Sequence, residues 1–344
     1  MSKINSLESL RGIAAFIVAL YHIPVISFYH YEKGLYGVYF FFSLSGFVIA
    51  LNYFHKIKDI KSLYFFKKKR FLRLYPVHFF LLFTVLFIQI GKIFLLDKLD
   101  ISYDQKAFEP SEWFTELDFL QHIFLTQAVT NLGYSYSWHG SSWTISTEFY
   151  SYLIFGIILI ISRNNQFFFS LLVIPYILFF NEIIEFLQHY INYLFLECLR
   201  YFFMGTLMYL IFKRIKLYLN DLVFLILLIT ILILRDFFPS FFIFSFIILI
   251  VALQKKENIC FRLLNQKYLV YFGTISYSFY MIHTVIYYLF NQFLKILNIN
   301  FYSGKDEYNF ALDTFLGFSY IFLSTISAII IYKFIENKFR YKKN

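Results

Sequence analysis

Charge is scarce in this chain. Only 15% of its 344 residues are Asp, Glu, Lys or Arg, against about a quarter in a soluble globular domain. Hydrophobic residues make up 60%, and the mean hydropathy is +0.63. The apolar excess falls in long runs, which excludes a soluble domain and points to an integral membrane protein. The runs are too long for barrel strands, which need only about 10 alternating residues. Helices remain, because the bilayer core offers backbone polar groups no water. Cysteine is nearly absent as well. Cys198 sits in an apolar run and Cys260 in an expected cytoplasmic loop, so neither a disulfide framework nor a metal-ligand cluster is expected. Also missing are a lipase-like G-x-S-x-G elbow, a Walker loop, a zinc H-E-x-x-H and a dinucleotide fingerprint. Low-complexity segments and short repeats do not occur. The opening MSKINSLESLRG lacks the parts of a cleavable signal peptide, so the first span is expected to stay in the mature protein.

What is present is a series of apolar segments. With about 20 residues needed to cross the hydrocarbon core, ten spans are predicted at 9–29, 35–54, 76–96, 143–162, 167–186, 193–212, 220–235, 239–254, 268–294 and 312–334. The fold class is therefore all-α, a polytopic membrane protein forming a single domain over 1–344. The net charge of +10 would suggest nucleic acid in a soluble protein. In a membrane chain, basic residues are read first as topology signals, and no nucleic-acid partner is expected. With both termini inside, 23 Lys and Arg fall on the cytoplasmic side and 7 outside. Two connections stand out. Residues 55–76 are an intensely basic connection, expected on the cytoplasmic side. Residues 97–142 are acidic and are expected to face outward. Their part DFLQHIFLTQAVTNLG is amphipathic and too short to span, so it lies on the surface or re-enters.

Ionisable groups inside a bilayer are expensive and usually functional. Arg11 and His22 are eleven residues apart, so a continuous helix puts them on one face with a rise of about 16 Å. His22 then lies midway through the core, suited to act as a buried general base. The plainer readings are a snorkelling anchor for Arg11 and an interhelical hydrogen bond for His22. Arg70 and Arg73, spaced i, i+3 in KKKRFLRLYP, project together at the cytoplasmic surface, where paired guanidinium groups suit phosphates. Pro76 marks the start of the third span. Positive-inside signalling and anionic-lipid contact explain the neighbouring lysines equally well. In SSWTISTEFYSY, Glu148 falls inside the fourth span and wants a partner, such as a histidine it would orient. Trp143 and Tyr150 also fit an aromatic belt. In GTISYSFYMIH, Ser276, Tyr280 and His283 follow i, i+4, i+7 and share a face. They form a polar cavity wall or a structural network, with His283 a second proton carrier.

Together these stretches resemble the acyltransferase 3 family of bacterial membrane O-acyltransferases, which includes O-antigen and Nod-factor acetylases. The resemblance runs through ESLRGIAAFIVALYH, FFFSLSGFVIA, RFLRLYP, SSWTISTEFY, SYSFYMIH and FIENKFR, in the expected order along nearly the whole chain. It implies a ten-helix domain in the bacterial inner membrane. Such a domain moves an acyl group, acetyl most commonly, from cytoplasmic acyl-CoA to a hydroxyl of a cell-surface glycan or its lipid-linked precursor, without a metal. Within it, His22 is the catalytic base, with Arg11 spaced before it. Arg70 and Arg73, with Arg11, are matched to the CoA phosphates. Ser45, Trp143, Ser146, Tyr150, Ser276, Tyr280 and His283 line the substrate cavity, with Ser146 or Tyr150 a candidate oxyanion donor. Relatives often carry an acid just before the double phenylalanine of the second span. Tyr39 stands there, and Glu148 is expected to take over the role. Relatives also carry proline after the closing glutamate, where Asn337 follows Glu336. An appended hydrolase-like domain is not expected. A homo-oligomer is compatible with the sequence. The rival class is a proton-coupled transporter or flippase, which would use intramembrane Arg, His and Glu equally well. No inverted repeat supports it.

Overall fold

The computed structural model describes residues 4–23, 34–99, 114–214, 258–297 and 310–340. Among the described residues every regular element is helical. In chain order these are α1 (Asn5–Leu20), α2 (Gly34–Tyr53), α3 (Ile60–Leu99), α4 (Glu116–Phe124), α5 (Trp143–Ile161), α6 (Gln166–Leu178), α7 (Phe180–Leu187), α8 (Tyr193–Arg214), α9 (Ile259–Leu264), α10 (Lys267–Ile296), α11 (Phe310–Ile331) and α12 (Asn337–Phe339). A 3₁₀ turn, Gly140–Ser142, leads into α5, and a π-helical turn, Tyr332–Glu336, joins α11 to α12. Six helical runs are long and apolar enough to cross a membrane, and α6 with α7 makes a seventh candidate. The expected spans 220–235 and 239–254 lie outside the described residues. Both cysteines are free.

Three sequence expectations change. First, α1 stops at Leu20, so His22 lies in the turn after it rather than midway along a helix. Second, the helix of the third span begins at Ile60 rather than at Pro76, so part of the basic connection forms the opening turns of α3, which continues through Pro76. Third, the fifth span bends by 75° between α6 and α7. The exposed Glu182 and Glu185 of α7 would be costly along a straight path through hydrocarbon. The amphipathic segment expected on the surface or as a re-entrant piece forms α4, and its polar side is the buried one. Asp118, Gln121 and His122 are buried, while Leu117, Leu120 and Phe124 are exposed. Thr115 caps it by accepting the Asp118 N–H, and Leu125 ends it in the left-handed region at φ 57°.

The described residues cluster into two compact units. The first takes in 1–17, 35–68 and 148–276. Its helices meet at glycine. A Cβ on Gly46 of α2 would sit 1.9 Å from the Phe202 carbonyl of α8, and one on Gly205 would sit 1.8 Å from that of Ser43. Gly12 of α1 and Gly273 of α10 make a similar approach, with a Cβ on Gly273 reaching 2.0 Å from the Glu8 carbonyl. Small residues let backbones close where no apolar solvent contrast drives packing. The second unit takes in 18–34, 69–147 and 277–344. There the end of α1 packs on α11, where Gly317 lies against Ile23. Tyr287 and Phe290 of α10 pack around Leu294 and Leu316.

Candidate active site

Imidazoles dominate the polar interior of the second unit. The half-buried ring of His22 lies 5.2 Å from that of His283 and 5.3 Å from that of Tyr287, centroid to centroid. His283 is fully packed on α10, where its Nδ1 bonds to the Tyr280 carbonyl one turn back. A carbonyl only accepts, so that nitrogen carries the proton. The opposite nitrogen, Nε2, has no hydrogen-bond partner among the described residues. The Tyr280 ring lies 5.3 Å from the His283 ring, so two of the three residues matched along this face do converge. Ser276 instead bonds back to the Gly273 carbonyl at 2.8 Å within its own helix.

A second set of histidines was not singled out from sequence. His139, just before the 3₁₀ turn, gives Nε2 to the Met281 carbonyl at 2.8 Å. His78 of α3 gives Nε2 to the His122 carbonyl at 2.9 Å, and His122 gives Nδ1 to the Asp118 carbonyl at 2.8 Å. The His78 ring is nearly parallel to both others, 5.9 Å from His139 and 6.3 Å from His122. Nδ1 of His78 and Nδ1 of His139 are buried without a hydrogen-bond partner among the described residues. Burial holds the His122 and His139 imidazoles down at about 4, because a charged ring there loses its water. No group of three or more His, Cys, Asp or Glu suited to a metal ion occurs among the described residues. These histidines stand far apart in sequence, and only the inverted seating of α4 signals them, by turning a polar face inward.

The W-x-x-S-x-E-x-Y stretch is split between the units. In the second, Trp143 is buried against Tyr136, which removes it from a lipid-facing belt. The Ser146 hydroxyl donates to the Leu125 carbonyl at 2.6 Å and accepts the Ala128 N–H, so its one proton already pins the turn after α4. In the first, the Glu148 carboxyl takes hydroxyl protons from Ser45 of α2 and Tyr152 of its own helix. These hydroxyls are the hydrogen-bond partners seen for a group expected to orient a histidine. Half-buried Tyr150 lies on the same helix, with the Lys67 ammonium 5.7 Å from its ring.

Sequence reading also passed over Glu197. This buried acid of α8 accepts hydrogen bonds from Tyr39 of α2 and, at 2.6 Å, from Tyr193. The position where relatives carry an acid is thus hydrogen-bonded to a carboxylate from another helix.

The arginines fall in different surroundings. Arg11, buried in the first unit, pairs with Glu8 at 3.3 Å. Arg70 and Arg73 are half-buried on α3 in the second unit. Arg73 interacts electrostatically with Glu336, the buried carboxylate of the closing motif. Glu336 also takes the Ser278 hydroxyl at 2.6 Å and pairs with Arg340 at 3.2 Å. With asparagine after it instead of proline, the chain continues through the π-helical turn into α12 and keeps this acid inside.

A family model described as an acyltransferase domain matches residues 4–333. No curated protein and no solved structure matches the chain.

Proposed function

Because the chain belongs to the acyltransferase 3 family and is a multi-pass membrane acyltransferase, we propose that it moves an acyl group, acetyl by default, from cytoplasmic acyl-CoA to a hydroxyl of a cell-surface polysaccharide or its lipid-linked precursor. The observation that carries this reading is the His22–His283 pair. His22 is half-buried, which leaves it open to a substrate, and it stands beside a second imidazole with a bare nitrogen. As the acceptor hydroxyl attacks the thioester carbonyl, His22 takes its proton. The new C–O bond forms, the C–S bond breaks, and the electron pair leaves on the CoA sulfur, which is then protonated. Direct transfer requires nothing else of the chain.

Arg70 and Arg73 are assigned to the CoA phosphates as a pair on one face of α3. Arg11 is assigned to hold the first turns of α1 through Glu8. Glu148 is assigned to anchor α2 against α5 through Ser45 rather than to orient a histidine. The proposed setting is the bacterial inner membrane with both termini inside.

The test is deletion of the gene, with complementation by wild type and by His22→Ala at equal protein level. Surface polysaccharide is then weighed for O-linked acyl groups. The expected result is loss of the acetyl mass on deletion, its return with wild type and no return with His22→Ala. Acylation that survives deletion while whole glycans vanish from the surface would move the transport reading ahead.

A further inference from the structure

Beyond His22 the second unit holds more imidazole than the transfer step uses. His22 neighbours His283 at 5.2 Å. His283 interacts electrostatically with both His22 and His139, and His139 Nε2 reaches the carbonyl of Met281, two residues before His283, at 2.8 Å. His139 lies parallel to His78 at 5.9 Å. The rings therefore form a series: His22, His283, His139, His78. The last three are 1%, 1% and 0% exposed. Each has one nitrogen fixed as a donor on a main-chain carbonyl and the other bare.

A buried polar nitrogen left bare costs free energy, so three in succession need a reason. An ordinary structural histidine would spend both nitrogens. Hydroxyl groups accompany the series. Ser141 Oγ lies 3.3 Å from His139 Nε2 and 3.1 Å from Thr284 Oγ1, the residue after His283. The rings are too far apart for direct N–H···N bonds. Proton passage between them requires a hydroxyl or a water as the intermediate carrier.

We propose that His283, His139 and His78 form a relay that carries the proton taken up by His22 away from the reacting atoms, toward the inward polar face of α4. The step balances. The O–H bond of the attacking hydroxyl breaks, and its proton goes to His22, along the relay and out to water beyond His122 and Asp118. The CoA thiolate takes one proton from cytoplasmic water, so no net proton is gained or lost. The relay leaves His22 neutral for the next turnover without waiting for the thiolate. The groups facing the series are Tyr280 and Tyr287 beside His283 and His22, Ser141 and Thr284 beside His139, and His122 with Asp118 beyond His78. His283, His139 and His78 are positioning and proton-carrying residues, while His22 alone touches substrate. The proposal rests on the acyltransferase reading above.

The test uses the full-length protein in liposomes with acetyl-CoA as the only substrate, so that water is the acceptor and still has to lose a proton. His139→Gln and His78→Gln keep an amide N–H for the carbonyl each ring now binds but cannot carry a proton. The expected result is a fall in kcat of about tenfold or more with KM for acetyl-CoA within about twofold, at an unchanged size-exclusion profile. His139→Ala should lose the same rate and regain part of it with added imidazole. Glutamine variants running at the wild-type rate would overturn the relay, as would a lost rate in His139→Ala that imidazole does not restore. Wild type that never consumes acetyl-CoA would remove the acyltransferase reading itself and the relay with it. Active wild type with indifferent glutamine variants would remove the relay alone.

Discussion

Among the described residues, both units seat buried carboxyls on hydroxyls, but only the second also buries a set of imidazoles. In the first, each buried carboxyl is surrounded by hydroxyls: Ser45 and Tyr152 on Glu148, Tyr39 and Tyr193 on Glu197. Those sites are satisfied, and the helices around them close on glycine at Gly46 and Gly205. In the second, the buried imidazoles of His78, His139 and His283 are satisfied on one side only. On the proposed function, the contrast is between polar groups that hold helices together and polar groups kept ready for chemistry. A hydroxyl–carboxyl pair has little left to offer a substrate. A histidine pinned through one nitrogen presents a fixed, oriented lone pair at the other.

The largest effect that tests this contrast is expected at the glycine contacts. Gly205→Val should leave almost no folded protein, because its Cβ would overlap the Ser43 carbonyl and overpacking of that kind costs roughly 3 kcal/mol or more. Gly91→Ala, where an added Cβ meets nothing within 4 Å, should accumulate normally. Size-exclusion of detergent extracts reads both. Next is Glu148→Ala, which strands two buried hydroxyls and should lower stability by about 3 kcal/mol. Glu148→Gln keeps an acceptor oxygen and should keep both fold and acetyl-CoA turnover. A well-folded Glu148→Gln with no turnover would move Glu148 from the scaffold to the chemistry and break the comparison.

Acid should weaken the second unit in particular. His122 and His139 are held at about 4, below the ordinary 6.5. Between those values the unfolded chain binds more protons. Their stabilisation is therefore complete above pH 6.5 and is lost as pH falls toward 4, by roughly 3 kcal/mol for each ring. Thermal unfolding across that range should show the slope, and His139→Gln should flatten it. The smallest effect is expected for Tyr39→Phe, which removes one of the two hydroxyls on Glu197. A hydrogen bond to a charged acceptor contributes about 2 kcal/mol, so the unfolding midpoint should shift modestly and turnover should persist.

Much of this was legible in the chain. The helical membrane class follows from hydropathy, and the i, i+3 spacing of Arg70 and Arg73 holds because α3 is helical there. The i, i+7 relation of Ser276 and His283 holds on α10 for the same reason. The misreadings have physical causes. A hydropathy window does not see that α1 ends at Leu20. It also starts the third span at Pro76, although the Lys and Arg before it are good helix formers and α3 begins at Ile60. For α4, amphipathicity shows that two faces differ but not which one is buried.

By itself the sequence determined an all-helical membrane protein and the order of the motifs that match the acyltransferase family. Those properties depend on composition and on spacing within single helices, which local physics dictates. The pairing of His22 with His283, the extension through His139 to His78, and the acid that Glu197 brings to Tyr39 were decided by tertiary structure alone. Each joins residues from separate segments of the chain, and which side chains meet depends on how those segments pack, which no period along one helix encodes.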